Sequence, residues 1–219
     1  MRLPNTAHDS ERWRIDEIVP DFTLLDVWAL PAKGGPGEFP DLLEVMNSID
    51  PAGGDSVPAK ALWKLRDELG KWFGLGRTST STDHTANDEV LPIPGAEELT
   101  LADRLPEDLQ GTVSAEEFRP DSPFTPLYLT DDETAAEISN QTVHGVMHLA
   151  WAEQEDGRFQ GLMSVYVKPR GRFGDGYMAL IGPFRHWIVY PALMRQIEVA
   201  WDARVPTESG LKGTPRPRT

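Results

Sequence analysis

Between Phe124 and Lys168 the apolar residues recur at nearly every second position in four successive segments. That period is the signature of β-strands, and the connections are short enough to demand antiparallel neighbours. The segments are Phe124–Leu129, Glu133–Ser139, Thr142–Trp151 and Gly161–Lys168. After a turn-rich stretch from Pro169 to Gly176 the period lengthens. Trp187, Tyr190, Met194, Ile197 and Trp201 recur at three and four, which predicts one buried face on a helix from Tyr177 to about Arg204, kinked or restarted at Pro183. A meander of strands followed by a long apolar helix must bury both partners against each other, an α+β arrangement.

The upstream half supplies a first strand and two helices. Phe22–Leu30 reads as a strand stopped by Pro31. Pro40 suits the first turn of a helix reaching Ile49, with Leu42, Leu43, Val45, Met46 and Ile49 on its apolar side. Ser56 and Pro58 open a second helix ending at Gly74 or Gly76. Residues 77–90 are polar and read as a mobile loop in which His84 is solvated. Whether the stretch 77–96 covers a cavity is open. The span 97–137, rich in Asp and Glu, reads as a solvated surface with short helical turns over 97–110. The chain is expected to form one domain over 1–205, with a disordered tail at 206–219.

Two of the five histidines, His144 and His148, lie four residues apart in the third strand segment. On a helix they would face one metal ion; on a strand they stand about 13 Å apart and cannot share one. No metal site is therefore expected. A two-residue turn at Asn140-Gln141 would set Glu137 opposite His144 and Glu133 opposite His148, two carboxylate–imidazole pairs suited to acid/base work. The following hairpin decides where they point. A two-residue loop at Asp156-Gly157 turns the pairs toward Met163, Val165 and Val167, lining the interior. A three-residue loop with a left-handed Gly157 pairs Leu149 with Met163 and Met147 with Val165, and makes the Glu–His pairs an outer charge ladder. The second register makes both strands amphipathic together and is favoured. Glu137, His144 and His148, with His186 on the last helix, are the candidate acid/base groups. Met147, Leu149, Trp151, Met163, Val165, Phe184, Arg185 and Ile188 are the candidate lining of an apolar cavity.

Other signals are weaker. Arg185 and His186 would orient a ligand carboxylate or enolate, or else serve as ordinary structural groups. Gly171–Gly176 is a glycine-rich turn with Asp175 as a helix cap, or an anion site on free amides. Tyr166 and Tyr190 would donate to a ligand or keep their hydroxyls at the rim. No nucleophile elbow and no dinucleotide fingerprint occurs, so no cofactor is expected. The net charge of −14 argues against nucleic acid and anionic membrane as partners. The absence of cysteine excludes disulfides and thiolate chemistry. With no apolar leader and no run of ~18 apolar residues, a cytoplasmic protein is expected. Oligomeric state is not legible.

Thr142-Val-His-Gly-Val-Met-His-Leu149, Val167-Lys-Pro-Arg-Gly-Arg-Phe-Gly174, Tyr177 and Pro183-Phe-Arg-His-Trp-Ile-Val-Tyr-Pro-Ala-Leu193 together resemble the bacterial family called domain of unknown function 2867. Met1-Arg-Leu-Pro-Asn5 and Asp26-Val-Trp-Ala-Leu-Pro31 are similar to an actinobacterial branch of it. The basic pair runs Arg185-His186, where the family pattern has the reverse order. The resemblance implies a START-like, polyketide-cyclase-like helix-grip fold: a curved antiparallel sheet around a long C-terminal helix. Such proteins hold small hydrophobic or aromatic molecules, and some are cofactor-independent cyclases, dehydratases or isomerases. A structural or interaction module with a filled core is the third expectation.

Overall fold

The computed structural model describes residues 1–8, 12–49, 91–114, 122, 124–140, 142–171 and 190–204. Among these described residues six strands form one antiparallel sheet: β1 (Arg2–Leu3), β2 (Thr23–Gly34), β3 (Thr125–Leu129), β4 (Glu133–Ser139), β5 (Val143–Glu153) and β6 (Phe159–Pro169). Their spatial order is β1-β2-β6-β5-β4-β3. The long second strand β2 thus pairs with the last, β6, from Thr23 opposite Val167 to Gly34 opposite Phe159. The helices among the described residues are a single turn α1 (Ile15–Ile18), α2 (Phe39–Ser48) and α3 (Tyr190–Ala203), with 3-10 turns at Asn5–Ala7, Leu101–Arg104 and Glu107–Leu109. The chain is therefore α+β.

The sheet is covered on both faces, and this sets the character of its strands. On one face Trp28, Leu30, Leu149, Trp151 and Met163 pack against Phe39, Leu42 and Val45 of α2 and Tyr190, Ile197 and Trp201 of α3. On the other, Ala29, Ala135, Val146, Ala150, Leu162 and Tyr166 meet a layer made by the N-terminal segment and residues 93–109. Trp13, Ile15, Ile18, Leu101, Leu105 and Leu109 supply its apolar side. β5 has both of its faces buried, so it reads as a nearly continuous apolar run interrupted by two histidines.

Several expectations change here. Pro31 does not stop its strand: β2 runs on to Gly34 through an irregularity between Ala29 and Lys33. β1 pairs only with Val27 and Trp28, so the missing N–H at Pro31 falls beyond the strand on that side. β1 itself has no period to announce it. The acid-rich span 97–137 is not simply a solvated surface, since Leu101, Leu105, Leu109, Glu133 and Glu137 are buried. Asn140 donates its N–H to Val143 O at 3.0 Å, one residue later than the expected Asn140-Gln141 turn. β4 therefore slides by two along β5, and Ser139, not Glu137, stands opposite His144. The Asn140 side chain sets this turn by accepting from the N–H groups of Thr142 and Val143 at 2.8 and 3.0 Å. A slip of two preserves the faces.

The β5–β6 hairpin takes the three-residue register. Met147 pairs with Val165, His148 with Ser164 and Leu149 with Met163, and Gly157 has φ +75°. The histidines thus lie on the face away from α3. That face is not an outer charge ladder, however: His144, His148, Glu133 and Glu137 are at most 5% exposed. The helix expected from Ser56, the 77–90 loop with His84, and the expected helix before Tyr190 lie outside the described residues.

Candidate functional site: a buried carboxylate–imidazole layer

The two Glu–His pairs form diagonally across β4 and β5. Glu137 stands opposite Val146 and reaches His144, two residues away, while Glu133 stands opposite Ala150 and reaches His148. Diagonal neighbours on one face lie within reach of long side chains. His144 Nε2 is 2.7 Å from Glu137 Oε2 and His148 Nε2 is 2.9 Å from Glu133 Oε2.

Each carboxylate also fastens the covering layer. Glu133 Oε1 accepts the Arg14 backbone N–H at 2.8 Å, and its Oε2 accepts the Tyr128 hydroxyl at 2.8 Å. Glu137 Oε2 accepts the Leu101 backbone N–H at 3.0 Å, and its Oε1 accepts the Thr100 hydroxyl. Both carboxylates are thus satisfied on both oxygens, which is how an acidic side chain becomes tolerable in an interior. Burial alone would raise their pKa values; the hydrogen bonds from the histidines, Arg14 N–H, Tyr128, Thr100 and Leu101 N–H outweigh it and hold both below the ordinary carboxylate value. Burial, the Glu133 charge and its hydrogen bond push the Tyr128 phenol far upward, so it stays a donor.

A third polar group adjoins the Glu133 pair. His8, 1% exposed, lies 5.5 Å from His148, ring centre to ring centre. The Tyr166 hydroxyl donates to Asp16 at 3.1 Å and lies 3.0 Å from His8 Nε2. Tyr166 is therefore buried within this layer and its hydroxyl is not at a rim. Trp13 stands 5.7 Å from the His148 ring. His8, Trp13, Asp16, Thr100 and Tyr128 escaped the sequence reading because each joins the site from a segment distant from β5 in the chain. The spacing of Trp13, Ile15, Ile18 and Val19 was the one available signal that the N-terminal segment packs on something.

On the α3 face, Met147, Leu149, Trp151, Met163 and Val165 do share one side of β5 and β6. Trp28 packs on Tyr190 at a tilt of 42° with ring centres 4.6 Å apart, and Trp151 on Trp201 at 49° and 5.6 Å. The indole N–H groups of Trp151 and Trp201 donate to the carbonyls of Gly35 and Lys33 at 2.9 and 3.3 Å. Leu149, Trp151 and Met163 are sealed by these contacts, whereas Met147 and Val165, one row along, are only partly buried. Phe184, Arg185, His186, Ile188 and Asp175 lie outside the described residues.

Among the described residues no three His, Asp or Glu side chains converge as a metal site, and no helix is long and apolar enough to cross a membrane. No curated protein and no solved structure matches the chain. A family model does match, over residues 18–192, spanning β2 through the start of α3. The chain belongs to the family described as "Protein of unknown function (DUF2867)".

Proposed function

We propose that the protein is a helix-grip protein that holds a small hydrophobic or aromatic molecule between the sheet and α3. The element order supports the reading: the long strand β2, helix α2, a run of antiparallel strands ending beside β2, then the C-terminal helix. The observation that carries it is the partial burial of Met147 and Val165. They sit opposite each other on the two middle strands of the sheet, where a core without a ligand would be most completely filled. The sealed residues beside them, with the Trp28–Tyr190 and Trp151–Trp201 pairs, form the rigid end of the same layer. Met147 and Met194 add flexible, polarisable walls. Ligand sites of this kind are mostly apolar and of about 300–1,000 Å³.

The alternative, a cofactor-independent cyclase, dehydratase or isomerase of the same fold, needs an acid/base group facing that layer. Glu137, His144 and His148 belong to the opposite face. His186 is the candidate left for it, which makes binding the better supported reading. The test is native mass spectrometry of the full chain purified from its own host, followed by titration with the apolar fluorophore 1-anilinonaphthalene. Binding predicts a co-purifying mass or saturable fluorophore uptake that Val165→Trp blocks. A protein of bare mass that takes up no fluorophore overturns the proposal and leaves a filled-core module.

A further inference from the structure

The two Glu–His pairs are alike in geometry but not in surroundings. In both, the carboxylate is an acceptor only, so the imidazole nitrogen facing it, Nε2, carries the proton. The other nitrogen, Nδ1, is then a lone pair in the neutral ring. In both histidines Nδ1 is buried and has no hydrogen-bond partner among the described residues. At His144 the neighbouring side chains are otherwise engaged. Lys168, its partner on β6, reaches Asp21 at 2.5 Å, the Ser139 hydroxyl accepts from Arg170, and the ring meets the edge of Phe22.

His148 differs. Its partner across the β5–β6 ladder is Ser164, 0% exposed, whose hydroxyl also has no partner among the described residues. The Trp13 indole, packed on the same imidazole, has a buried N–H in the same condition. The ring's own acceptor, an N–H on the indole packed against it and the hydroxyl of its ladder partner are therefore all without a hydrogen bond among the described residues. Directly opposed residues on one face carry their Cβ atoms only about 4.5–5.5 Å apart, yet the two groups make no hydrogen bond to each other. Buried polar groups that neighbour one another without a direct bond are ordinarily joined by one bridging oxygen.

We propose that His148, Ser164 and Trp13 form a binding site for one small hydroxyl-bearing ligand, water being the simplest, with His148 Nδ1 as its proton acceptor. The ligand O–H donates to Nδ1, and its oxygen accepts from the Ser164 hydroxyl and the Trp13 indole. Glu133 holds the ring in the required tautomer through Nε2–H, and Glu133 is itself fixed by Arg14 N–H and Tyr128. Full transfer of the proton would give an imidazolium beside the Glu133 carboxylate and leave the oxygen's negative charge facing two donors. The arrangement is that of a general base with an anion-stabilising pair, on the sheet face opposite the proposed apolar cavity and independent of it.

The test is nitrogen-15 imidazole spectroscopy of the full wild-type chain, with water as the probe. Long-range proton–nitrogen spectra should show His148 protonated on Nε2 with a hydrogen-bonded Nδ1. Water should give cross-relaxation peaks to the Trp13 indole proton and the His148 ring. Ser164→Val should remove those peaks while leaving the His148 tautomer unchanged. Should that variant fail to fold, the wild-type spectra decide alone. A proton on Nδ1, or no water contact at His148 and Trp13, overturns the proposal.

Discussion

Replacing Glu133 by glutamine keeps the shape of the side chain and removes its charge, and the structure dictates what that must cost. Glu133 Oε1 serves the Arg14 N–H, while Oε2 serves both Tyr128 and His148. An amide has one acceptor end. With its oxygen in the Oε2 position it keeps two partners but turns its NH2 toward the Arg14 N–H, donor against donor. Flipped, it keeps Arg14 and abandons both Tyr128 and His148. The first arrangement loses less, and losing one charge-assisted bond at a buried donor costs about 2–4 kcal/mol. Glu133→Ala leaves all three donors without an acceptor and should cost more, about 3–5 kcal/mol. Urea unfolding of the full chain at neutral pH measures both. Amide exchange supplies the local reading: Glu133→Gln should accelerate exchange at Arg14 more than at Leu101, whereas Glu137→Gln, whose oxygen can keep Leu101 N–H and His144 while its NH2 donates to the Thr100 hydroxyl, should leave both close to wild type. Glu133→Gln within about 0.5 kcal/mol of wild type, the range of an ordinary surface change, would refute the reasoning.

The same carboxylates set the acid limb of stability. Their folded pKa values lie below the ordinary 4.5, so their contribution is complete above that pH and is lost as pH falls through the folded values. Melting temperature should therefore drop steeply below about pH 4.5, and the drop should be shallower in the Glu133→Gln, Glu137→Gln double variant; equal slopes would contradict this. Gly157→Ala should cost about 1–2 kcal/mol in a denaturant melt, because φ is +75° while a Cβ there meets nothing within 4 Å. At Gly161 the cause is crowding instead. A Cβ would lie 3.0 Å from Leu42 Cδ2 and 3.2 Å from Leu30 Cδ1, so Gly161→Ala should lose about 1–3 kcal/mol, and Leu42→Ala in the same chain should relieve the crowding.

How far the sequence discloses this molecule depends on the range of each interaction. The strands β4 to β6, and helices α2 and α3 where they are described, follow local periods, and the β5–β6 register follows from Gly157 in its three-residue loop. The β4–β5 register turned on one side chain, Asn140, whose bonds to the N–H groups of Thr142 and Val143 moved the turn by a residue. The covering layer was the least legible part. Glu133 and Glu137 look solvated in sequence because acidic residues in a strand usually are. They are buried because Arg14 and Leu101, 119 and 36 residues away in the chain, bring backbone donors to them. No local window contains both halves of such a contact. The candidate site was therefore half visible: its histidines, its glutamates and the face that carries them were found, but the layer that buries that face was not.

The two faces of the sheet differ: a fastened polar layer surrounds Glu133 and Glu137 on one, and on the other the apolar layer under α3, near Met147 and Val165, is the proposed ligand site. Carbon-13 methyl labelling of the methionines tests this most directly, since Met147 and Met163 belong to the α3 face and Met1 lies at the far edge beside Ala29. On titration with 1-anilinonaphthalene, the Met147 methyl should shift most and saturate, Met163 should shift less, and Met1 should stay in place. Unmoved Met147, or a shift confined to Met1, would contradict the assignment of the α3 face as the binding face.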